Sequence, residues 1–236
     1  NRYPEGTTVV VWTATDECGF TVTATQTIVV NYPPCDPVTY EDYEYPVVRL
    51  AGNCWMAENL HNTQYADGAN VPNYSSYNND GNMTGDYGLL YSWCSAVRVQ
   101  EGNDNAEPST MVDVEGGYVQ GLCPEGWALP KQSDYNFLMA TVGTTDVLKD
   151  LNAQYWLPDA AGVNPNTGFN ARGAGFYDSS IDRYMNLLGE AYFWTSDLGT
   201  TITQGKCSVI SHHCPELINQ NQDKGMGFSV RCVRKK

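Results

Sequence analysis

Positive charge is scarce in this chain. Lys and Arg total 13 against 27 Asp and Glu, a formal net charge of −14 at pH 7. So acidic a protein repels phosphate backbones and anionic lipid, which sets aside nucleic acid and membrane surfaces as direct partners. Long apolar runs are missing as well. Mean hydropathy is −0.41, and no stretch approaches the roughly 18 consecutive apolar residues of a membrane span. No charged-then-apolar leader opens the chain, so any export signal is expected to have been removed or to lie outside it. Histidine is limited to His61, His212 and His213, which narrows acid–base chemistry. There is no HExxH, no phosphate-binding loop and no Ser-His-Asp order.

The core-forming material is ample, with 42% hydrophobic and 12% aromatic residues. The eight cysteines (Cys18, Cys35, Cys54, Cys94, Cys123, Cys207, Cys214 and Cys232) are even in number, scattered and free of CxxC pairs. That pattern fits disulfides made in an oxidising compartment, with a connectivity that spacing alone does not choose.

Along the chain, residues 7–15 and 20–30 alternate and are rich in β-branched side chains, with turn residues Asp16-Glu17-Cys18-Gly19 between them. This predicts a β-hairpin. It resembles the closing strands of hyalin-repeat or immunoglobulin-like modules. It is expected to continue a neighbouring module or to lean on the domain after it, since an isolated hairpin is marginal in water. The prolines of 31–37 form a linker, giving a first segment over 1–34 and a main domain over 35–236. Short strands are expected over 38–50 and 52–60, a short helix near Leu89–Val97, and an acidic loop over 102–117. A helix is expected after Pro130, with Tyr135, Leu138, Met139 and Val142 on one buried stripe and Gly143 ending it. Val147, Leu148 and Leu151 begin another short helix.

Several blocks carry a resemblance: GNCWMAENL at 52–60, YGLLYSW at 87–93, CPEGWALP at 123–130, GFNARGAG at 168–175, YFWTS at 192–196 and SVRCV at 229–233. In that order they resemble the Fibrobacter succinogenes major paralogous domain, over residues 38–236. The resemblance implies an exported protein of the Bacteroidetes or Fibrobacteres type, located extracellularly or at the cell surface. It also implies a fold related to C-type lectins and formylglycine-generating enzymes. The expected class is therefore α+β, C-type-lectin-like, with short antiparallel strands, two to three short helices and long loops, preceded by the immunoglobulin-like hairpin. In such a fold, residues 47–50 are expected beside the C-terminal strand 228–233. Trp55, Trp93 and Trp127 are expected in the core, with Trp194 bordering the display segment.

Within 189–236 the apolar pattern lapses between Trp194 and Gly227, and Thr, Gln, Ser, His and Asn fill the gap. An irregular polar segment held by a frame of Phe193, Phe228 and Val230 is how a scaffold displays a recognition surface. The candidate ligand-binding residues are Tyr192, Trp194, Asp197, Thr200, Thr203, Gln204, Ser208, His212, His213, Asn219, Asn221 and Asp223. The partner class is an unknown protein or glycan. The residue mixture of 197–223 also resembles the variable segments of lectin-fold proteins diversified by retroelements at adenine-containing codons. Two other functions remain open. One is a copper- or thiol-dependent oxidase using Cys207 and Cys214, by resemblance to formylglycine-generating enzymes; the other is a structural spacer of a surface protein. For Cys207 to Cys214, a local disulfide is favoured over a zinc site with His212 and His213. The oxygen-rich loop 77–86 is expected to be solvated, with calcium as its alternative.

Overall fold

In the computed structural model, residues 3, 6–31, 34–99, 113–114, 117–158 and 160–234 are described. Two compact units divide the chain, Asn1–Cys35 and Asp36–Lys236.

The first unit is the hairpin. Strands β1 (Gly6–Thr15) and β2 (Thr21–Val30) pair antiparallel from Gly6↔Val30 to Thr15↔Thr21. The Asp16 carboxylate closes the turn by accepting from the backbone N–H of Cys18 and of Phe20, each at 2.9 Å. Gly19, at φ 86°, takes the left-handed position that a side chain would strain. Val9, Val11, Trp12, Phe20, Val22 and Val29 are exposed.

The second unit is α+β with short strands. In chain order it holds β3 (Val38–Tyr40), β4 (Tyr43–Tyr45), β5 (Val47–Leu50), β6 (Asn53–Met56), β7 (Tyr74–Ser75), α1 (Thr84–Tyr87), β8 (Leu90–Tyr91), α2 (Trp93–Val97), β9 (Asp113–Val114) and β10 (Tyr118–Val119). After these come α3 (Gln132–Val142), β11 (Ala174–Asp178), β12 (Arg183–Leu187), β13 (Glu190–Leu198), β14 (Gln204–Ser211), β15 (Ile218–Asp223) and β16 (Val233–Arg234). The main sheet has five strands in the order β12-β11-β13-β14-β15. A three-stranded sheet runs β16-β6-β5. The expected acidic loop lies outside the described residues except for β9 and Gly117. No helix among the described residues is long and apolar enough to cross a membrane.

The expected neighbourhood of 47–50 and the C-terminal strand needs correction. Ala51 (φ 50°) and Gly52 (φ 78°) fold β5 back on β6 as a hairpin. That leaves the far edge of β6 open, and the C-terminal segment pairs there: Val233↔Trp55, Met56 N–H to the Cys232 carbonyl at 3.1 Å, and Leu60 N–H to the Val230 carbonyl at 2.9 Å. β6 therefore separates β5 from the chain end.

Helix α3 opens where the Asp134 carboxylate accepts from the Lys131 N–H at 2.8 Å, and ends at Gly143, whose N–H returns to the Met139 carbonyl. Tyr135 and Leu138 are buried, while Met139 and Val142 are half-buried. Tyr135 stacks on Phe193 at 5.9 Å and meets Trp55 at 5.1 Å, and Phe169 closes the aromatic centre against Phe193 at 6.0 Å. Leu138 sits at the root of this packing with no exposed area. Truncating it to alanine should destabilise the protein by about 2–5 kcal/mol in chemical denaturation. A cost near zero would remove α3 from the core.

Arg231 lies inside the same core at 1% exposure. Its guanidinium donates to Asn59 Oδ1 from Nε at 3.2 Å and Nη2 at 2.7 Å, and to the carbonyls of Phe169 and Asn170. It lies over the rings of Phe169 and Phe193, at 4.4 and 5.3 Å. Burial pushes its pKa down to about 9, so it remains charged at neutral pH.

Cys123 is bonded to Cys232, and Cys35 and Cys54 are also disulfide-bonded, which fits an oxidising compartment. The expected Cys207–Cys214 bridge is absent, and both are thiols. Cys207 is inside β14, whereas Cys214 lies beyond its end. Extended chain rises about 3.3 Å per residue, so four further residues of strand already carry the backbone past the Cα separation of about 7 Å that a disulfide tolerates.

Candidate functional site

The C-terminal segment is not the irregular display loop its composition implies. It folds as a meander of β13, β14 and β15, in register from Glu190↔Ser211 to Trp194↔Cys207 and from Gln204↔Asp223 to Val209↔Ile218. β14 is flanked by a strand on each side and Cys207 to Ser211 are all buried, so polar Ser208 and Ser211 lie inside, satisfied by hydrogen bonds. Ser208 Oγ donates to Asn219 Oδ1 at 2.8 Å.

Three candidate residues are consequently corrected from surface to interior. Tyr192, Trp194 and Ser208 are buried. The Trp194 indole N–H donates to the Tyr91 carbonyl at 2.7 Å, and its ring meets Phe228 at 4.3 Å. Tyr192 stacks on Phe228 at 4.8 Å and donates its hydroxyl to Glu190. These two aromatics join the frame residues Phe193, Phe228 and Val230, which are buried too. Asp197, Gln204 and His212 are half-buried. Asp197 accepts from the Gln132 N–H at 2.6 Å, tying β13 to the start of α3. His212 contacts the Gly189 carbonyl at 3.0 Å. Thr200, Thr203, His213, Asn219, Asn221 and Asp223 are exposed. They are spread along the meander: Thr203 lies beside Asp223 through the Gln204↔Asp223 pairing, Asn221 and Asn219 follow along β15, and His213 lies past the far end of β14, beyond roughly 23 Å of extended strand.

A cleft lies elsewhere, with a volume of about 440 Å³. Its aromatic surface comes from Tyr74 on β7, Tyr177 near the end of β11 and Tyr184 on β12. Polar groups come from Asn73, Ser75, Asn79, Ser92, Ser179 and Asp182. The tight turn between β11 and β12, from Asp178↔Arg183, carries Ser179 and Asp182 to the rim. Asp182 (φ 52°) and Asn79 (φ 56°) adopt the left-handed backbone that Asp and Asn tolerate best.

Each polar tip is held by a phenol. The Tyr177 hydroxyl donates to Asp182 Oδ1 at 2.9 Å, and the Tyr184 hydroxyl to Asn79 Oδ1 at 2.8 Å. Tyr184 is fixed in turn by ring contacts with Tyr77 at 5.3 Å and Tyr177 at 5.0 Å. Donation to the Asp182 carboxylate raises the Tyr177 pKa, keeping the phenol protonated.

Two glycines make room for this arrangement. A Cβ on Gly227 would come within 2.9 Å of Tyr177 Cβ, and one on Gly225 within 2.9 Å of Ser179 Oγ. Gly227 and Tyr177 exchange both backbone hydrogen bonds, at 3.0 and 2.8 Å, and the adjacent Phe228 does the same with Tyr91. The backbone at the base of the cleft is thus paired on both sides.

Of the sequence-derived candidates, only Asp223 approaches this cleft, through the loop it shares with Gly225: Asp223 Oδ1 accepts from the Gly225 N–H at 2.9 Å. The signal available in the sequence is the Tyr-, Ser- and Asn-rich run Pro72–Asn79, PNYSSYNN, a composition that recurs in recognition loops. Its polarity alone does not separate it from a solvated loop.

The other two candidate chemistries rest on the remaining clusters. Burial pushes the Cys207 thiol up to about 12, and a hydrogen bond to Glu216 at 3.0 Å raises Cys214. His212 and His213 contact each other, with ring centroids 4.4 Å apart. In the 77–86 loop, Asp80 Oδ1 accepts from the Asn82 N–H at 3.0 Å and its side-chain amide at 2.8 Å, and Asp86 accepts from Tyr155 at 2.8 Å. Among the described residues, no group of three or more His, Cys, Asp or Glu is placed to hold a metal ion.

The family profile described as the Fibrobacter succinogenes major domain matches residues 48–234. No curated protein and no solved structure matches the chain.

Proposed function

The chain belongs to the Fibrobacter succinogenes major domain family, and from that premise we propose that it is an exported binding module whose ligand sits in the tyrosine-lined cleft. The observation that carries this reading is the convergence of Tyr74, Tyr177 and Tyr184 with Asp182 and Asn79 in one concavity. Aromatic walls with a few oriented polar groups are the general make-up of a ligand site. Two of those polar groups are already fixed by hydrogen bonds, so little ordering remains to oppose binding. Disulfide-bonded cysteines support export and a place outside the cell or on its surface. A relationship of the α+β fold to C-type lectins is part of the same proposal.

The oxidase reading draws less support. A catalytic thiol works as thiolate, and the surroundings of Cys207 and Cys214 raise both pKa values. A diversified surface stays compatible with the exposed set Thr200, Thr203, His213, Asn219, Asn221 and Asp223, and a nearby template repeat differing from the gene only at adenines would establish it.

The cleft is tested with fluorescently labelled protein on intact bacterial and host cells, scored by flow cytometry. Wild type should stain one of them. A Tyr177→Ala/Tyr184→Ala variant should lose most of that staining yet still unfold in one cooperative transition, at a melting temperature lowered by the loss of two half-buried, ring-packed phenols. Equal staining by a folded variant would refute the cleft as the binding site.

A further inference from the structure

We propose that the ligand of this cleft is a neutral saccharide, with one sugar ring packed on the tyrosine wall; this rests on the cleft being the binding site. The lining supplies two kinds of surface that a pyranose also has. The rings of Tyr74, Tyr177 and Tyr184 line the cleft with apolar area and polar ends, matching a ring whose C–H groups form apolar faces and whose hydroxyls form its rim. Tyr74 is the most open of the three, at 42% exposure.

The polar lining is made of hydroxyls and amides: Asn73, Ser75, Asn79, Ser92 and Ser179. Such groups both donate and accept, as a sugar hydroxyl does. Ser92 is buried with its hydroxyl engaged by Ser95, so Asn73, Ser75, Ser179 and the Asn79 amide N–H groups are the ones that face a ligand. The one charged group among the described residues lining the cleft is Asp182. Its carboxylate accepts from Tyr177 and retains further acceptor positions for sugar hydroxyls, in the stronger charge-assisted kind of hydrogen bond.

The same inventory argues against other ligands. A phosphate, sulfate or carboxylate needs cationic donors, and the lining offers an aspartate in a chain of net charge −14. An extended peptide that adds a strand needs an unpaired sheet edge. At the base Gly227 and Phe228 already occupy the backbone groups of Tyr177 and Tyr91. Among the described residues lining the cleft, only the outer edges of β7 and β12, at the rim, remain for a strand to join, and an uncharged extended hexapeptide probes these. The volume of about 440 Å³ lies in the range of small-molecule sites and holds a segment of one or two sugar rings.

Isothermal titration calorimetry of the whole chain tests this with cellotriose, xylotriose, mannotriose, triacetylchitotriose, a heparin tetrasaccharide and an uncharged extended hexapeptide. At least one neutral trisaccharide should bind, and the heparin fragment and peptide should not. Tyr74→Ala should weaken that binding about tenfold or more, whereas Tyr74→Phe, which keeps the ring, should stay within about threefold of wild type. Asp182→Ala should also weaken it, and all three variants should melt within a few degrees of wild type. Failure of every neutral trisaccharide, or preference for the heparin fragment or the peptide, overturns the saccharide assignment. If cell staining still depends on Tyr177 and Tyr184, the binding-module reading survives that result. Saccharide binding that folded Tyr74→Ala and Asp182→Ala variants both retain overturns the placement in this cleft.

Discussion

Replacing Arg231 by alanine should lower the melting temperature by roughly 6–20 °C. The side chain is among the largest fully buried ones, and its charge is solvated by the Asn59 amide oxygen and by backbone carbonyls. Removing it strands Asn59 Oδ1 and the Phe169 carbonyl in the core and releases the half-buried Asn170 carbonyl. Each orphaned buried polar group costs about 1–3 kcal/mol. The guanidinium's contacts with Phe169 and Phe193 vanish as well, and a cavity opens between the rings. A loss of about 3–5 kcal/mol from the orphaned groups and the cavity together corresponds to roughly 2–4 °C per kcal/mol for a domain of about this size. Arg231→Lys should recover only part of the loss, since one ammonium cannot reproduce the fork that reaches Asn59 and both carbonyls. Differential scanning calorimetry decides. A shift under about 3 °C for the alanine variant would mean that the core closes over the gap and that this arginine matters little to the fold.

Converting both Cys123 and Cys232 to alanine should cost nearly as much. The bridge joins residues 109 apart in sequence, and a cross-link closing a loop of about 100 residues is worth up to about 4.7 kcal/mol through the unfolded chain. Both cysteines are fully buried, so alanine adds only a small void. The reduced wild type should melt at or below the double variant, because reduction opens this bond and also the disulfide bonding of Cys35 and Cys54, which the variant keeps. If dithiothreitol leaves the wild-type transition within a couple of degrees of the oxidised protein, the bond contributes little. Cys232 follows Arg231 directly, so a triple variant should not show the summed loss: adjacent changes share packing and backbone.

How far the sequence reaches depends on how local the signals are. The hairpin is legible because alternation and the Asp16 turn are contained within one short stretch. Helix α3 is legible because its stripe and Gly143 stop lie within a few turns. The signature blocks identify the family. Strands β14 and β15 are hidden for a physical reason. β14 is covered on both sides, so period-2 alternation disappears, and β15 is an edge whose Asn and Gln read as loop. The same loss of pattern places Tyr192, Trp194 and Ser208 wrongly at the surface. The cleft is the hardest to read. Its lining comes from 72–79, 177–184 and 225–227, together with Leu90 and Ser92, and nothing local in any of these stretches reveals that the others are near.

The edge strand β15 carries one more consequence. Its exposure alternates along the six residues Ile218 to Asp223, half-buried at 218, 220 and 222 and exposed at 219, 221 and 223. Any combinatorial library or natural variation laid on this strand therefore has about half the usable positions its length implies, because successive side chains face opposite ways. Sequence changes at Asn221 and Asp223 alter the outer surface, a change at Asn219 also removes the partner of buried Ser208, and changes at Ile218, Gln220 and Gln222 press on the sheet. A one-residue insertion ahead of the strand would exchange the two sets, turning the variable positions inward.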